Sequence, residues 1–264
     1  MIQRRLIIPP PSRRGLLAAG AATFGGLLLA GCDRLSNAPQ FQSLLGSANK
    51  ATYGAQRILL SGQPLAREFQ EKDLSPVFKA NGTTLPADPR YQAMAETGFS
   101  DWRLQIGGLV ARPTSLSLAD IRRLPQRTQI TRHDCVEGWS AIGKWTGVPL
   151  GLILRSVGLA PNARFIVFRC ADDLDGSADG SGLYYESLDL IDAFHPQTIL
   201  AHSMNDQPLA IAHGAPLRLR VERQLGYKMA KYVGRIELVD ALSPIALGKG
   251  GYWEDRGYEW YAGI

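Results

Sequence analysis

Between residue 62 and the C-terminal Ile264, turn-forming residues return every ten to fifteen positions and no long helix pattern appears. A chain punctuated this way must build its core from short elements. In DWRLQIGGLV (101–110), Trp102, Leu104 and Ile106 alternate as in a half-buried strand. RFIVFRC (164–170) is β-branched and aromatic and reads as a buried strand ending at Cys170. In PLRLRVE (216–222), Leu217, Leu219 and Val221 alternate with Arg218, Arg220 and Glu222, and GRIELVD (234–240) reads as a further strand. Short helices are expected at SLADIRRL, where Ser117 and Asp120 have capping-box spacing, at PLGLILRSVG, between Pro149 and Gly158, and at ESLDLIDAF (186–194). There is no βαβ rhythm and no internal repeat, so the expected class is α+β: one β-rich mixed domain over 62–264.

The chain has 264 residues, 45% of them hydrophobic, which suffices for a full core. Its formal charge of +5 is local: residues 1–31 hold Arg4, Arg5, Arg13 and Arg14 and no acid, leaving 25 basic against 24 acidic residues. The charge therefore gives no case for a nucleic-acid partner. The basic start followed by the apolar run 15–31 reads as an export signal. SRRGLL (12–17) resembles a twin-arginine signal, and LLAGC (28–32) resembles a lipobox that would place an acyl anchor on Cys32 outside the cytoplasmic membrane, in the periplasm. Residues 32–61 are polar, without a sustained period, and are expected to be a tether.

With Cys32 at the signal boundary, two thiols remain, Cys135 and Cys170. An exported protein can join them in a disulfide, giving a stapled lipoprotein with a binding or scaffolding role. The setting TRHDCVEGWS instead suits an exposed loop in which Arg132 and His133 favour a reactive or metal-binding thiolate. His133 and Cys135 supply only two candidate ligands toward a zinc hydrolase. Arg218, Arg220, Arg223, Lys228 and Lys231 form a cationic strip that is either a solvated strand edge or a site for a phosphate-like anion. The tail groups Tyr252, Trp253, Tyr258, Trp260 and Tyr261 with Glu254, Asp255 and Arg256, as a pocket wall or a core closure. Walker A, Gly-x-Gly-x-x-Gly, His-Glu-x-x-His, Cys-x-x-Cys and Gly-x-Ser-x-Gly motifs are absent.

RHDCVEGWSAIGKWTGVPL (132–150), HPQTILAHSMNDQPLAIAHGAPLRLRV (195–221) and LGYKMAKYVGRIEL (225–238) resemble the molybdopterin-binding domain of the sulfite oxidase superfamily. Within it they are nearest the periplasmic branch that includes the methionine sulfoxide reductase catalytic subunit. The resemblance covers roughly 65–264 and implies a mixed fold around molybdenum-molybdopterin. It implies Cys135 as thiolate ligand of the metal, Arg218 on the cofactor phosphate, and Met229, Ala230 and Lys231 along the cofactor. His133 also falls at the cofactor. His213 stands where that branch has Asn, and Cys170 where it has Thr; both are expected to face the cofactor, with Asn81 of FKANGTTLP (78–86) beside them. Tyr252, Glu254, Asp255 and Tyr258 are expected in the wall of the catalytic pocket. Oxygen-atom transfer is implied, as is a monomer that exchanges electrons with a membrane cytochrome or a soluble carrier.

Overall fold

The computed structural model describes residues 38–59, 62–177 and 180–264, so the export signal and Cys32 lie outside the described residues. The chain divides into two units, Met1–Ser61 and Gly62–Ile264. In the first, the stretch expected as a tether carries helix α1 (Pro39–Leu59), which has no buried residue. No helix among the described residues is long and apolar enough to cross a membrane.

The second unit is built on two five-stranded sheets. In one, β1 (Arg103–Gly108) lies between β2 (Thr114–Ser117) and β10 (Val233–Val239), and the order continues to β5 (Phe165–Asp173) and β6 (Leu183–Asp189). Only the β1–β10 pair in this sheet is parallel, with Gln105 opposite Arg235. The other sheet runs β3 (Arg127–Asp134), β4 (Ser140–Pro149), β7 (Ile199–Met204) and β8 (Gln207–Pro208), with β9 (Arg218–Arg220) also on β7. The alternation in 101–110 has its expected effect: Trp102, Leu104 and Ile106 are all buried.

Short helices form where caps allow. After α2 (Pro89–Glu96), α3 (Leu118–Arg123) opens on a capping box in which the Ser117 hydroxyl accepts the Asp120 N–H and the Asp120 carboxylate accepts the Ser117 N–H, both at 3.0 Å. In α4 (Leu150–Val157), Leu150, Ile153, Leu154 and Val157 are fully buried along one face, each contributing about 1.5–3 kcal/mol. The expected helix 186–194 is corrected. Glu186–Asp189 belong to β6, and only the turn α5 (Leu190–Ala193) is helical. Tyr184, Tyr185, Glu186, Ser187 and Leu188 are buried in succession, so both faces of the segment are covered, and an extended ladder on β5 satisfies its backbone where a helix would strand one face.

Two details set up the site. Asp134 pairs with Ser140 across the β3–β4 hairpin, leaving Cys135–Trp139 as its loop. The loop closes through Cys135 N–H to Trp139 O at 2.9 Å and turns at Gly138, whose φ of +85° favours glycine. On β5, the register with β6 shifts between Arg169 and Asp173, and the Ala171 N–H turns to Tyr232 O at 3.0 Å. Bulges of this kind re-aim side chains beside functional sites.

Candidate cofactor site

Residues from both sheets and from the loops between them line a cavity of about 190 Å³, many times the space one water needs. The Cys135 loop forms one side. Cys135 is 5% exposed, and its sulfur accepts the Asn81 amide N–H at 3.1 Å. The expected exposed loop cysteine is thus buried. Burial pushes its thiol up, the Glu137 carboxylate adds to this, and N–H groups of Glu137 and Asn81 oppose it. The expected help from Arg132 and His133 does not arise. Arg132 pairs with Asp134 at 2.9 Å. His133 is held neutral, pushed down to about 2 by burial and then by Arg220 and Arg218, and its Nδ1 lies 3.1 Å from Arg220 and 3.2 Å from the Met229 sulfur. Its ring packs so close to Gly226 that a Cβ there would stand 2.4 Å from it.

The cationic strip is buried, and carboxylates divide it. Arg220 pairs with Glu222 at 2.6 Å, Arg223 with Asp192 at 2.8 Å, and Lys228 bridges Glu186 and Glu254. Arg218 and Lys231 have no such carboxylate among the described residues, and both line the cavity. Arg218 donates to the His213 carbonyl at 2.9 Å and lies 4.9 Å over the Trp145 ring, while its Nε has no partner. Lys231 donates to the carbonyls of Asn81, Thr83 and Ala212, fastening the 81–83 loop. Burial, then repulsion from Arg218, brings Lys231 down to about 8, and burial, then repulsion from Arg220, brings Arg218 down to about 9. Two cations outside any ion pair among the described residues suit an anionic ligand.

Lysine titration carries a sign that can be checked. Between about 8 and the ordinary 10.5 the unfolded chain keeps the Lys231 proton and the folded chain sheds it, so the cofactor-free fold gains stability as pH rises through that window. Below pH 8 both states hold the proton and the penalty is fully present. Urea midpoints at about pH 8 and pH 10 should rise in the wild type, and Lys231→Met should flatten the rise.

Of the residues expected at the cofactor, Asn81, His133, His213, Arg218, Met229 and Lys231 line this cavity, with the Cys135 sulfur against Asn81. His213, lowered by burial and then by Arg218 and Lys231, stands edge-on to Phe78 at 5.7 Å. Ala230 and Cys170 are off the wall. The Ala230 carbonyl accepts the Leu219 N–H at 2.8 Å, and Cys170 sits in the main core with its thiol pushed well up by burial. The tail divides as well. Tyr258 lines the cavity, stacked on Trp253 at 5.3 Å. Tyr252, Glu254 and Asp255 do not, because each has a partner elsewhere: Tyr252 donates to Asp175 at 2.6 Å, Glu254 pairs with Lys228, and Asp255 accepts from Tyr185 at 2.5 Å and from the Leu247 and Lys249 N–H groups. Wall residues missed by sequence reasoning include Phe78, Asp172, Tyr184, Tyr227 and Trp253. Asp172 carried one usable signal, its position two residues after Cys170 on the same strand face.

Both thiols are free, so the stapled-scaffold alternative has no disulfide. The zinc reading lacks a third ligand. No group of three His, Cys, Asp or Glu side chains among the described residues is placed to hold a metal, and His133 Nδ1 already faces Arg220 and Met229. A soft thiol against Asn81, with two cations outside any ion pair in the same wall, suits a metal that arrives with most of its ligands on an anionic cofactor.

Comparison with known proteins names that cofactor. Residues 91–245 match the model of the oxidoreductase molybdopterin binding domain. A relative of Azospira oryzae, named as a candidate protein-methionine-sulfoxide reductase subunit, YedZ1, is 37% identical over 96% of this chain and 88% of its own. The protein-methionine-sulfoxide reductase catalytic subunit MsrP of Xanthomonas axonopodis pv. citri is 35% identical over 56% of this chain and 48% of its own, so the chain spans about half the length of that relative. The sulfane dehydrogenase SoxCD of Paracoccus pantotrophus aligns over 53% of this chain and 39% of its own at 24% identity, with a TM-score of 0.47. The chain belongs to the molybdopterin-binding oxidoreductase family of the sulfite oxidase superfamily.

The residues fit molybdenum-molybdopterin. The orphaned Nε of Arg218 and the Lys231 ammonium, in no ion pair among the described residues, suit its phosphate, and the Cys135 thiol suits a metal otherwise held by the cofactor's sulfurs. When bound, the group supplies two-electron redox chemistry coupled to oxygen-atom transfer.

Proposed function

We propose that this chain is the catalytic subunit of an exported reductase that removes the oxygen atom from a methionine sulfoxide. Electrons come from a separate haem or membrane partner, and an acyl chain on Cys32 anchors the protein. The balance is sulfoxide plus two electrons and two protons, giving thioether and water. The observation that carries the reading is one cavity lined by Arg218, Lys231 and Asn81, with the Cys135 sulfur against Asn81. Its wall also includes Tyr184, Tyr227, Trp253 and Tyr258, aromatic surface on which a thioether side chain can pack. The names of the two reductase relatives support the substrate class and the direction.

Side chains in the wall divide the remaining work. The Asn81 amide orients the Cys135 sulfur. Lys79 and Glu137 pair at 3.4 Å on the exposed rim, where hydrogen bonds from Trp139 and then Lys79 keep the Glu137 carboxyl low and ionised. His133 and His213 are both kept neutral by burial and neighbouring cations, so neither stores a proton near neutral pH.

The test is direct. Chain purified from a molybdenum-replete host should carry about one molybdenum and should oxidise reduced viologen on addition of methionine sulfoxide. Ferricyanide reduction driven by sulfite at a matching rate would reverse the proposed direction. Absence of the metal together with a Cys135–Cys170 disulfide would remove the cofactor from the account.

A further inference from the structure

Helix α1 (Pro39–Leu59) has 21 residues, and not one of them is buried. Leu44, Leu45, Ile58 and Leu59 stand between 47% and 80% exposed. Helices in water owe most of their stability to packing of an apolar face, so a helix this long with such a face in the open calls for a surface to cover it. At about 100° per residue, Leu44, Leu45, Ala48, Ala55, Ile58 and Leu59 fall in one stripe about 100° wide. Lys50 and Arg57 share the opposite face and are the only charged side chains of the helix.

These features fit a lipid surface. No helix among the described residues is long and apolar enough to cross a membrane, so α1 does not span one. An apolar stripe backed by a basic, acid-free polar face is the pattern of a helix lying in the headgroup plane. There the stripe enters the acyl boundary and the cations meet anionic lipid. The sequence also delivers α1 to that place. Six residues, 33–38, separate Cys32 from Pro39, a reach of at most about 25 Å when fully extended. An acyl anchor on Cys32 holds the helix within that reach of the membrane, and one acyl chain alone binds reversibly until a second signal joins it.

We infer that α1 is an interfacial helix, lying in the plane of an anionic phospholipid membrane with its leucine and isoleucine stripe among the acyl chains. The inference rests on the reading of Cys32 as an acyl anchor. Mature acylated holoprotein on phosphatidylethanolamine–phosphatidylglycerol vesicles tests it, with a nitroxide on Leu45→Cys, Leu59→Cys or Lys50→Cys. None of these positions is buried, whereas Cys135 and Cys170 are, so the label attaches to the helix and leaves the core alone. Oxygen concentrates among acyl chains, and a nickel chelate stays in water. The oxygen-to-nickel collision ratio should be several-fold higher at positions 45 and 59 than at 50, with a smaller difference on vesicles of phosphatidylcholine alone. Equal ratios at the three positions would leave the helix in water and overturn the inference. So would loss of both oxygen and nickel access at 45 and 59, the sign of a protein contact with a second copy or another chain. A difference just as large on phosphatidylcholine would overturn the part given to Lys50 and Arg57. A mass for the mature chain showing Cys32 without acyl chains would instead overturn the anchor reading.

Discussion

Cys135→Ser should leave the fold intact and reduce sulfoxide turnover by about a hundredfold or more, the scale expected when a metal's environment loses an essential group. The reason is separation of roles. The Cys135 sulfur takes its hydrogen bonds from the Asn81 amide and the Glu137 N–H, both of which an oxygen can also accept, so a smaller oxygen costs the core little. The loop is closed by its own backbone, through Cys135 N–H to Trp139 O and Gly138 N–H to Cys135 O at 3.0 Å, and neither bond involves the side chain. Pterin should remain bound because Arg218 and Lys231 are untouched. What changes is the donor atom: a hard hydroxyl that stays protonated replaces a thiolate in a sulfur-rich set. Turnover, pterin content and melting temperature measured on one preparation check this. Near-wild-type turnover would remove Cys135 from the metal.

The largest stability effect should come from Lys228→Met. Lys228 and Glu186 are fully buried, Glu254 is 1% exposed, and the ammonium holds both carboxylates. Removing it leaves two carboxylates uncompensated in the core. A loss of about 3–5 kcal/mol follows, or roughly 10 °C in melting temperature for a domain of this size. The pH dependence has a definite sign. Burial and the neighbouring Glu254 push Glu186 well up while Lys228 pulls it down, so without Lys228 the raised carboxyl favours folding at low pH and that support is lost as pH rises. The melting deficit of Lys228→Met should therefore narrow between about pH 8 and pH 5, and adding Glu186→Gln with Glu254→Gln should recover most of it. A deficit independent of pH would show that packing, not charge, is what Lys228 supplies. Because Glu254 stands next to Trp253 in the chain, the same variant should also loosen the aromatic wall and raise KM for the sulfoxide.

Much of the fold could be read where neighbours in sequence are neighbours in space. The strand at 101–110 and the capping box of α3 depend on spacings of two and three residues, and both stand as expected. The stretch 186–194 failed because its apolar pattern fits a helix and a doubly covered strand equally, and only the β5 ladder decides between them. The site divides along the same line. Asn81, His133, His213, Arg218, Met229 and Lys231 come together around one cavity, with the Cys135 sulfur against Asn81. The tail was half misread, since a 3-10 turn at Glu254–Arg256 sends Trp253 and Tyr258 to the cavity and Tyr252, Glu254 and Asp255 elsewhere. Asp172 escaped notice, although its spacing of two from Cys170 puts both on one strand face and Asp173 on the other.

Sequence alone determined the inventory: a soft thiol in a tight hairpin loop, five cations within fourteen residues, and an aromatic tail. Tertiary structure decided which of those charges are spent. Glu186 on β6, Asp192 in α5, Glu222 just after β9 and Glu254 in the tail turn pair with Lys228, Arg223 and Arg220, while Arg218 and Lys231 are in no ion pair among the described residues. Pairing depends on which groups share a low-dielectric interior at a few ångströms, a quantity set by strand order and register and not by spacing along the chain.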